Sequence, residues 1–486
     1  MTGYGGINTQ QVFGVIAILV LTLGGALLIS HASMSIAVIV IIGLIVAIFT
    51  FLDTEFALYA LIIAMLLGPQ VGMEGAAGES VRGRGVTLRV DDFLLAIIGL
   101  TWFFKTAVQK ELGLFLKTPL NHAIGIYFLI CVVSTLLGYM MGRVKGTAGF
   151  FFVLKYFEYY VVYFMAVNHL REKKQIERFT ATMLVVCFLV SLFAISFMSQ
   201  GMRASAPFEG AQGEPNTLGG YLVFMISITI GLLLTWGTRG QKFVLFVLLI
   251  FSTIALAATL SRSSWIAAGP MALGLLYFSD KKKTILFCIL VLVVAAPFIA
   301  PKSVQERILF TITQPKEEGQ MRIGTVRVDT STSARLGSMK TVLTRDFAKQ
   351  PVLGFGITGY SFLDAQYARV LAETGLLGLL AFLFLLVSIY RNAKATYYGT
   401  RDMFFKGLSL GFLTGFFGLL THSIGSNTFI IVRIMEPFWF VCAMIIMIPR
   451  IEAGEFMPTP ALAKQRKDKP IVSPGDMQYP AASVTR

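Results

Sequence analysis

Long apolar stretches alternate with short polar connections along most of the chain. Stretches beginning near Val12, Met34, Phe179 and Phe429 each continue for about 18 residues or more, long enough to cross roughly 30 Å of hydrocarbon as a helix. This pattern predicts an all-α polytopic membrane protein with about 12–14 transmembrane helices. The predicted helices lie at about 12–30, 33–51, 55–69, 91–108, 119–141, 150–168, 178–200, 217–236, 242–260, 263–279, 283–300, 367–390, 404–424 and 428–448.

Lysine and arginine recur at every second connection between these helices. Cytoplasmic loops are enriched in both residues, so these connections and both chain termini are predicted to face the cytoplasm. The residues that carry this bias are Lys105, Lys110, Lys117, Arg171, Lys173, Lys174, Arg178, Arg239, Lys242, Lys281, Lys282, Lys283, Arg391, Lys394 and Arg401.

The only long hydrophilic connection, 301–366, is predicted to face the opposite, outer side. Within it, 333–350 is expected to form an amphipathic helix, because apolar residues recur on one stripe. That stripe consists of Leu336, Met339, Leu343 and Phe347. The predicted units are the helices of 1–300, the loop domain 301–366, the helices of 367–450 and a disordered cytoplasmic tail over 451–486.

Composition agrees with a membrane location and excludes an ordinary soluble enzyme. Hydrophobic residues make up 56% of the chain and charged residues only 14%, against about a quarter in soluble domains. The net charge of +15 favours an anionic partner. The four cysteines and four histidines lack the short spacings of a metal site, so no metal and no cofactor is expected.

Arginines and lysines on the predicted outer face break the rule that assigns basic residues to cytoplasmic loops. Guanidinium groups bind phosphate oxygens in pairs and stay charged, so this set suits a diphosphate or another polyanion. The alternative is that they contact lipid head groups or pair with acidic neighbours such as Glu79, Asp91 and Asp329. The set comprises Arg82, Arg84, Arg89, Arg143, Lys145, Arg203, Arg262, Arg322, Arg327, Arg335 and Arg345.

Several ionisable residues lie within predicted spans, where charge is costly unless it is paired or lines a cavity. Lys155 and Glu158 are three residues apart on one helix, and Arg433 and Glu436 repeat that spacing. All four fall in the outer halves of their helices, so they are candidate substrate-binding groups or structural ion pairs. His422, at the outer end of its helix, is a further candidate, against the alternative of a hydrogen-bonded helix-end residue.

Three regions of the chain contain short motifs between about residues 214 and 390. The motifs are 214–220 (Glu-Pro-Asn-Thr-Leu-Gly-Gly, which includes the candidate substrate-binding residue Asn216), 260–265 (Leu-Ser-Arg-Ser-Ser-Trp), Arg335-Leu336, 351–356 (Pro-Val-Leu-Gly-Phe-Gly), 364–367 (Asp-Ala-Gln-Tyr) and 371–378 (Leu-Ala-Glu-Thr-Gly-Leu-Leu-Gly). In their order and spacing they resemble the O-antigen ligase/polymerase family of bacterial envelope glycosyltransferases.

The resemblance implies a fold like that of the lipid-sugar-dependent glycosyltransferases and the transfer of an oligosaccharide from undecaprenyl diphosphate to an acceptor hydroxyl. It implies no metal and no nucleotide. Arg262 and Arg335 match family positions that bind the diphosphate. Ligases of this family usually have a histidine where this chain has Asp364, so Asp364 is the candidate general base; its alternative role is a helix N-cap.

Three functions remain open from the sequence. The first is an inverting, metal-independent Wzy-type polymerase that joins lipid-linked repeat units into O-antigen or exopolysaccharide at the periplasmic face of the bacterial inner membrane. It is favoured over the ligase, because Asp364 followed by Ala-Gln-Tyr resembles exopolysaccharide polymerases more than ligases. The second is an O-antigen ligase that moves finished glycan to lipid A core or another acceptor. The third is a lipid-linked oligosaccharide flippase, which is less favoured because no internal repeat is found. Expected partners are the lipid-linked donor and acceptor, membrane lipids, and the chain-length regulator and flippase of the pathway; no nucleic acid is expected.

Overall fold

The computed structural model describes residues 45–50, 52–68, 89–109, 116–200, 202–207, 213–299, 301–313, 320, 322–323, 326–327 and 330–455. The helix predicted over 12–30, most of that over 33–51, the tail beyond residue 455, and Arg82 and Arg84 lie outside the described residues.

The regular secondary structure of the described residues is helical, apart from one hairpin whose two strands have two residues each. Its helices are α1 (Thr54–Leu67), α2 (Val90–Gln109), α3 (Asn121–Met140), α4 (Gly146–His169), α5 (Lys173–Ser196), α6 (Pro215–Thr235), α7 (Arg239–Ala258), α8 (Arg262–Phe278), α9 (Lys282–Ile299), α10 (Lys302–Thr313), α11 (Thr330–Thr341), α12 (Gln366–Gly399), α13 (Met403–His422) and α14 (Val432–Glu452). The hairpin pairs β1 (Arg322–Ile323) with β2 (Val326–Arg327) and has no counterpart in the sequence prediction.

Eight of the described helices are long and apolar enough to cross a membrane: α3, α4 from residue 149, α5, α6, α7, α12, α13 and α14. The polytopic architecture is therefore confirmed. The predicted total of 12–14 spans is not reached among the described residues: the predicted spans 55–69, 91–108, 263–279 and 283–300 correspond to α1, α2, α8 and α9, which are not among the eight. The span predicted over 12–30 and most of that over 33–51 lie outside the described residues. Most predicted ends agree with the structure to within a few residues. The exception is α12, which continues to Gly399 and is thus longer than predicted.

α6, α13 and α14 form the centre of the bundle. Glycines let α6 and α13 pack backbone to backbone: a Cβ on Gly231 would lie 2.3 Å from the carbonyl oxygen of Gly407. Small residues serve this purpose between membrane helices because they permit close van der Waals contact. On the other side of α14, Trp439 packs edge-on against Tyr160 and Tyr163 of α4.

The bundle has two chemically different ends. At one, the "basic end", the described contacts link the starts of α3, α5 and α13 to the ends of α6, α8 and α14. Lys173 contacts Asp402, Lys406 contacts Asp280, and Arg450 donates to the carbonyl oxygen of Lys117. At the other, the "site end", the starts of α6, α8, α12 and α14 meet the ends of α7 and α13. The loop domain attaches at this site end.

In the loop domain, the residues that face inward after α11 differ from those predicted. The predicted helix over 333–350 is α11 followed by one wide π-helical turn (Val342–Asp346) and a short 3-10 turn (Phe347–Lys349). The wide turn rotates the stripe by one residue. Val342 is therefore fully buried with Leu363 and Leu371, while Leu343, predicted to face inward, is 52% exposed.

Candidate functional site

Arg335 and Asp364 form an ion pair at the site end. The Nε and Nη2 atoms of Arg335 lie 3.2 and 2.8 Å from the same carboxylate oxygen, Oδ2 of Asp364. Arg335 projects from α11, and Asp364 lies two residues before α12. Both side chains are about a quarter exposed, so the pair is accessible from outside the bundle. The structure thus brings together two residues that are 29 positions apart and were both predicted to be catalytic.

Asp364 is not the N-cap of α12, which was its alternative interpretation. The N-cap residue is Ala365, and no side chain caps the helix. The Gln366 amide instead donates to the carbonyl oxygen of Ser423, in the turn after α13. The Asp364 carboxylate is therefore free of a capping role, and both bonds from Arg335 end on one oxygen, which leaves Oδ1 for another donor.

Arg335 belongs to a cluster of four arginines. The pKa of Arg203, in the loop after α5, is lowered first by burial and then by the positive charges of Arg307, Arg262 and Arg335. Ser263, next to Arg262, also lies close to Arg335: a Cβ on Gly425 would be 3.5 Å from the Ser263 Cβ and 3.7 Å from an Arg335 nitrogen. The positive charges of Arg262, Arg307 and Arg335 thus all act on Arg203, and Arg335 is the member of this cluster that contacts Asp364.

Arg203 also supports the turn that presents Arg262. Its Nε donates to the carbonyl oxygen of Thr259 at 3.2 Å and its Nη2 to that of Leu260 at 3.4 Å. Leu260 has a left-handed backbone (φ 50°), which is uncommon for a non-glycine residue. Strain of this kind persists only where surrounding contacts enforce it, and the Arg203 bonds are such contacts.

A buried chain of hydroxyls fixes the start of α8. The Ser261 hydroxyl donates to Asn216 Oδ1 at 2.7 Å, so it must accept from the Ser264 hydroxyl, also at 2.7 Å. Ser264 therefore accepts from Nε2 of His422 at 3.1 Å, and Nδ1 of His422 is 2.8 Å from the Thr428 hydroxyl. A neutral imidazole with its proton on Nε2 satisfies every member of the chain.

The hydrogen-bonded chain of hydroxyls gives a physical reason for two of the sequence motifs, 214–220 and 260–265. A Cβ on Gly219 would lie 2.1 Å from Ser264 Oγ, and one on Gly220 would lie 3.1 Å from Cε1 of His422. The paired glycines after Asn216 therefore let α6 approach both residues. Asn216 and His422, predicted to bind substrate, make their described contacts within this network, which holds Arg262 in place beside Arg335.

Lys155 and Glu158 pair as predicted, at 3.3 Å. Asp92 of α2 completes the group: it contacts Lys155 and accepts a bond from the backbone amide of Arg89 at 2.8 Å. The described ion pairs of Lys155 therefore link α2 to α4. Arg89 is buried at the start of α2, on the side of the bundle that carries this group. Substrate binding by Lys155, Glu158 and Arg89 stays a prediction.

Arg433 is fully buried and binds backbone. Its Nη1 donates to the carbonyl oxygens of Leu66 and Pro207 at 3.3 and 2.8 Å, and its Nη2 to that of Gly68 at 3.1 Å. These oxygens belong to the end of α1 and to the loop after α5. The described contacts of Arg433 thus join elements of the bundle, in line with the structural alternative to its predicted role in substrate binding.

α12 is broken at Gly375, where φ is 66° and ψ is −165°. The loop segment 351–356 runs beside the break and forms hydrogen bonds with the backbone of α12 on both sides of Gly375. The amides of Phe355 and Gly356 donate to the carbonyl oxygens of Ala372 and Glu373, and the amides of Leu376 and Leu377 donate to those of Pro351 and Val352. Two of the family-like motifs, 351–356 and 371–378, are thus the two sides of one backbone junction.

Arg307 and the role of Arg203 were not predicted from the sequence. Arg307 lies on α10, in a stretch predicted as loop, so no helix face was available from which to place it. The hydroxyls of Ser264 and Thr428 were also not predicted as partners of His422, nor that of Ser261 as the link to Asn216. The signal for the two serines is the small-residue composition of the motif 260–265.

No model of a known protein family matches the chain, and its comparison with curated proteins finds no match.

Proposed function

We propose that the chain is an inverting, metal-independent membrane glycosyltransferase that polymerises oligosaccharide repeat units linked to undecaprenyl diphosphate. The observation that supports this most is the cluster of Arg203, Arg262, Arg307 and Arg335 beside Asp364 at the site end of a membrane bundle. A lipid-linked sugar diphosphate presents an anion at the membrane surface and an apolar chain within the bilayer, which fits that position.

The charge of the cluster suits the leaving group. When the bond between the sugar and the diphosphate breaks, the diphosphate gains a negative charge. Fixed guanidinium groups around that position stabilise the charge as it develops, and preorganised groups of this kind give the largest single contribution in many enzymes. The mutual influence of these four guanidiniums indicates a positively charged position that suits the diphosphate.

Asp364 supplies the base of this mechanism. The acceptor hydroxyl of a second lipid-linked unit attacks the anomeric carbon of the donor, its proton passes to Asp364, and the bond between the anomeric carbon and the diphosphate oxygen breaks with its electron pair. Attack from the face opposite the diphosphate inverts the configuration. Both bonds from Arg335 end on Oδ2 of Asp364, and Oδ1 of the same carboxylate is the oxygen that accepts the proton.

The proposed orientation is supported by the distribution of lysine and arginine. The connections at the basic end contain the lysines and arginines predicted to face the cytoplasm, so the proposal puts the site end on the periplasmic side of a bacterial inner membrane. Lipid-linked units that have been moved across the membrane would reach the arginine cluster from that side.

A glycan profile of a strain lacking the gene tests this function. Loss of a polymerase leaves single repeat units on the cell's glycan carrier. Loss of a ligase leaves long chains on undecaprenyl diphosphate, and loss of a flippase leaves single units in the cytoplasmic leaflet. We expect the first result, together with recovery of long chains on complementation with the unaltered gene but not with Asp364→Ala. Long chains in the deletion strain would contradict the polymerase.

A further inference from the structure

A second ion pair, Arg369 with Glu373, lies in the first half of α12 and has no part in the mechanism above. The Arg369 Nε is 3.1 Å from Oε1 of Glu373, and each side chain is less than a tenth exposed. Burying two charges in a membrane protein is costly unless they are paired and hydrogen-bonded. Their contacts therefore indicate what the pair contributes.

Arg369 holds the segment that leads to Asp364. Its guanidinium carbon lies 5.8 Å from the ring centre of Phe362, two residues before Asp364, and 5.9 Å from that of Phe152 on α4. Cations at this distance are attracted to the faces of aromatic rings. The guanidinium thus links the segment that enters α12 to a neighbouring transmembrane helix.

Glu373 holds the other end of the same segment. Its Oε1 accepts a bond from the Thr358 amide at 3.2 Å, and its Oε2 lies 3.5 Å from the Tyr156 hydroxyl of α4. Thr358 has φ 67°, a conformation that branched residues rarely adopt. The backbone oxygen of Glu373 also accepts bonds from Gly356 and from the Ser134 hydroxyl of α3.

We propose that Glu373, through Arg369, is a positioning residue for Asp364. The ion pair fixes residues 358 and 362, the two ends of the strained segment before Asp364, so that the carboxylate stays opposite Arg335 and within reach of the acceptor hydroxyl. The proposal rests on the function proposed above and assigns a role to a motif residue that this function does not use.

The test compares Glu373→Gln with the double variant Glu373→Gln/Arg369→Gln and with the control Glu177→Gln, which removes a half-exposed pair at the basic end. Each full-length protein is purified in nanodiscs. Amide exchange over 354–366 is measured first. Turnover and KM are then measured with lipid-linked repeat units isolated from the deletion strain.

In Glu373→Gln we expect faster exchange over 354–366 and a kcat about 100-fold lower, because a displacement of about 1 Å can cost that much. The KM for the donor stays within twofold, since the arginine cluster is intact. The double variant should have a kcat no higher than that of Glu373→Gln, because it also removes the guanidinium that contacts Phe362. Unchanged exchange with normal kcat, or a loss confined to KM, would overturn the proposal. If the unaltered protein elongates nothing, the proposed function fails, and the exchange data alone decide whether Glu373 holds the segment.

Discussion

At the scale of single residues, the ion pair of Arg335 and Asp364 is expected to matter for turnover much more than for folding stability. Both side chains are partly exposed, and ion pairs of this kind contribute only about 0–1 kcal/mol to folding. Loss of a group that stabilises developing charge costs about 100- to 1,000-fold in turnover. We expect Arg335→Gln to lower turnover by that amount with an almost unchanged unfolding midpoint.

Arg345→Gln is the matched control, because Arg345 is 73% exposed and lies 3.6 Å from Asp346 in the same domain. Turnover with lipid-linked units and thermal unfolding in detergent are measured for both variants. An equal loss of turnover in the two variants would show that general charge, rather than the position of Arg335, matters.

Arg433 is expected to behave in the opposite way. Arg433→Met removes the donor of three backbone carbonyl oxygens, and each buried acceptor left without a partner costs about 1–3 kcal/mol. The unfolding midpoint should fall clearly, while the donor KM of the folded fraction stays the same. Arg178→Met, which affects a 60% exposed arginine, is the control. A raised KM with normal stability would instead support substrate binding by Arg433.

The sequence indicated some of these roles and concealed others for a physical reason. Arg262, Arg335 and Asp364 were found because they lie in motifs that resemble a known family. The function of Arg433 was not visible, because its partners are backbone oxygens of distant segments, which leave no pattern in residue types. Likewise, only the folded chain shows that Asp92 is a second ion-pair partner of Lys155, in addition to Glu158.

At the scale of elements, the break in α12 is the feature that hydropathy could not predict. The sequence pattern indicated one continuous span over 367–390. The break depends on Gly375, whose backbone conformation is nearly exclusive to glycine. A Cβ there would lie 2.3 Å from the carbonyl oxygen of Val352.

Gly375→Ala should therefore separate the loop segment 351–356 from α12 and lower the unfolding midpoint. Gly142→Ala is the control, because it introduces backbone strain without a clash. Gly142 also has a positive φ (68°), but no atom lies within 4 Å of the Cβ that alanine would add. The control should cost only about 1–2 kcal/mol. Equal shifts of the two midpoints in thermal unfolding would contradict the close packing at the break.

The wide turn after α11 makes the loop domain sensitive to acid. Asp346 accepts bonds from Lys349 at 2.6 Å and from the Tyr360 hydroxyl at 2.6 Å, and these bonds, led by that of Lys349, lower the pKa of Asp346. The unfolded value is about 3.9. The stabilisation by this carboxylate is therefore complete above about pH 4 and is lost as the pH falls through the lower, folded pKa.

Amide exchange over 342–360 should consequently be slow at pH 6 and accelerate, after correction for intrinsic rates, below about pH 4. Asp346→Asn should show the faster corrected exchange at both values. If Asp346→Asn and the unaltered protein showed the same pH dependence of exchange, Asp346 would not be the cause of the acid sensitivity.

At the scale of the whole molecule, hydropathy predicted where the helices lie, and the lysine and arginine bias predicted which connections share one side of the membrane. Both predictions depend on average composition rather than on individual contacts. The convergence of Arg203, Arg262, Arg307 and Arg335 could not be predicted in this way, since it depends on how four separate segments pack at the site end.

The central claim is that the arginine cluster and Asp364 elongate a lipid-linked glycan. The most direct measurement incubates the purified full-length protein in liposomes with single lipid-linked repeat units, in the presence of EDTA and without nucleotide, and resolves the products by length. The account predicts a ladder of chains that increase by one repeat unit, and no ladder with Asp364→Ala or Arg335→Gln. Repeat units that remain single with the unaltered protein, or a ladder that both variants still produce, would contradict it.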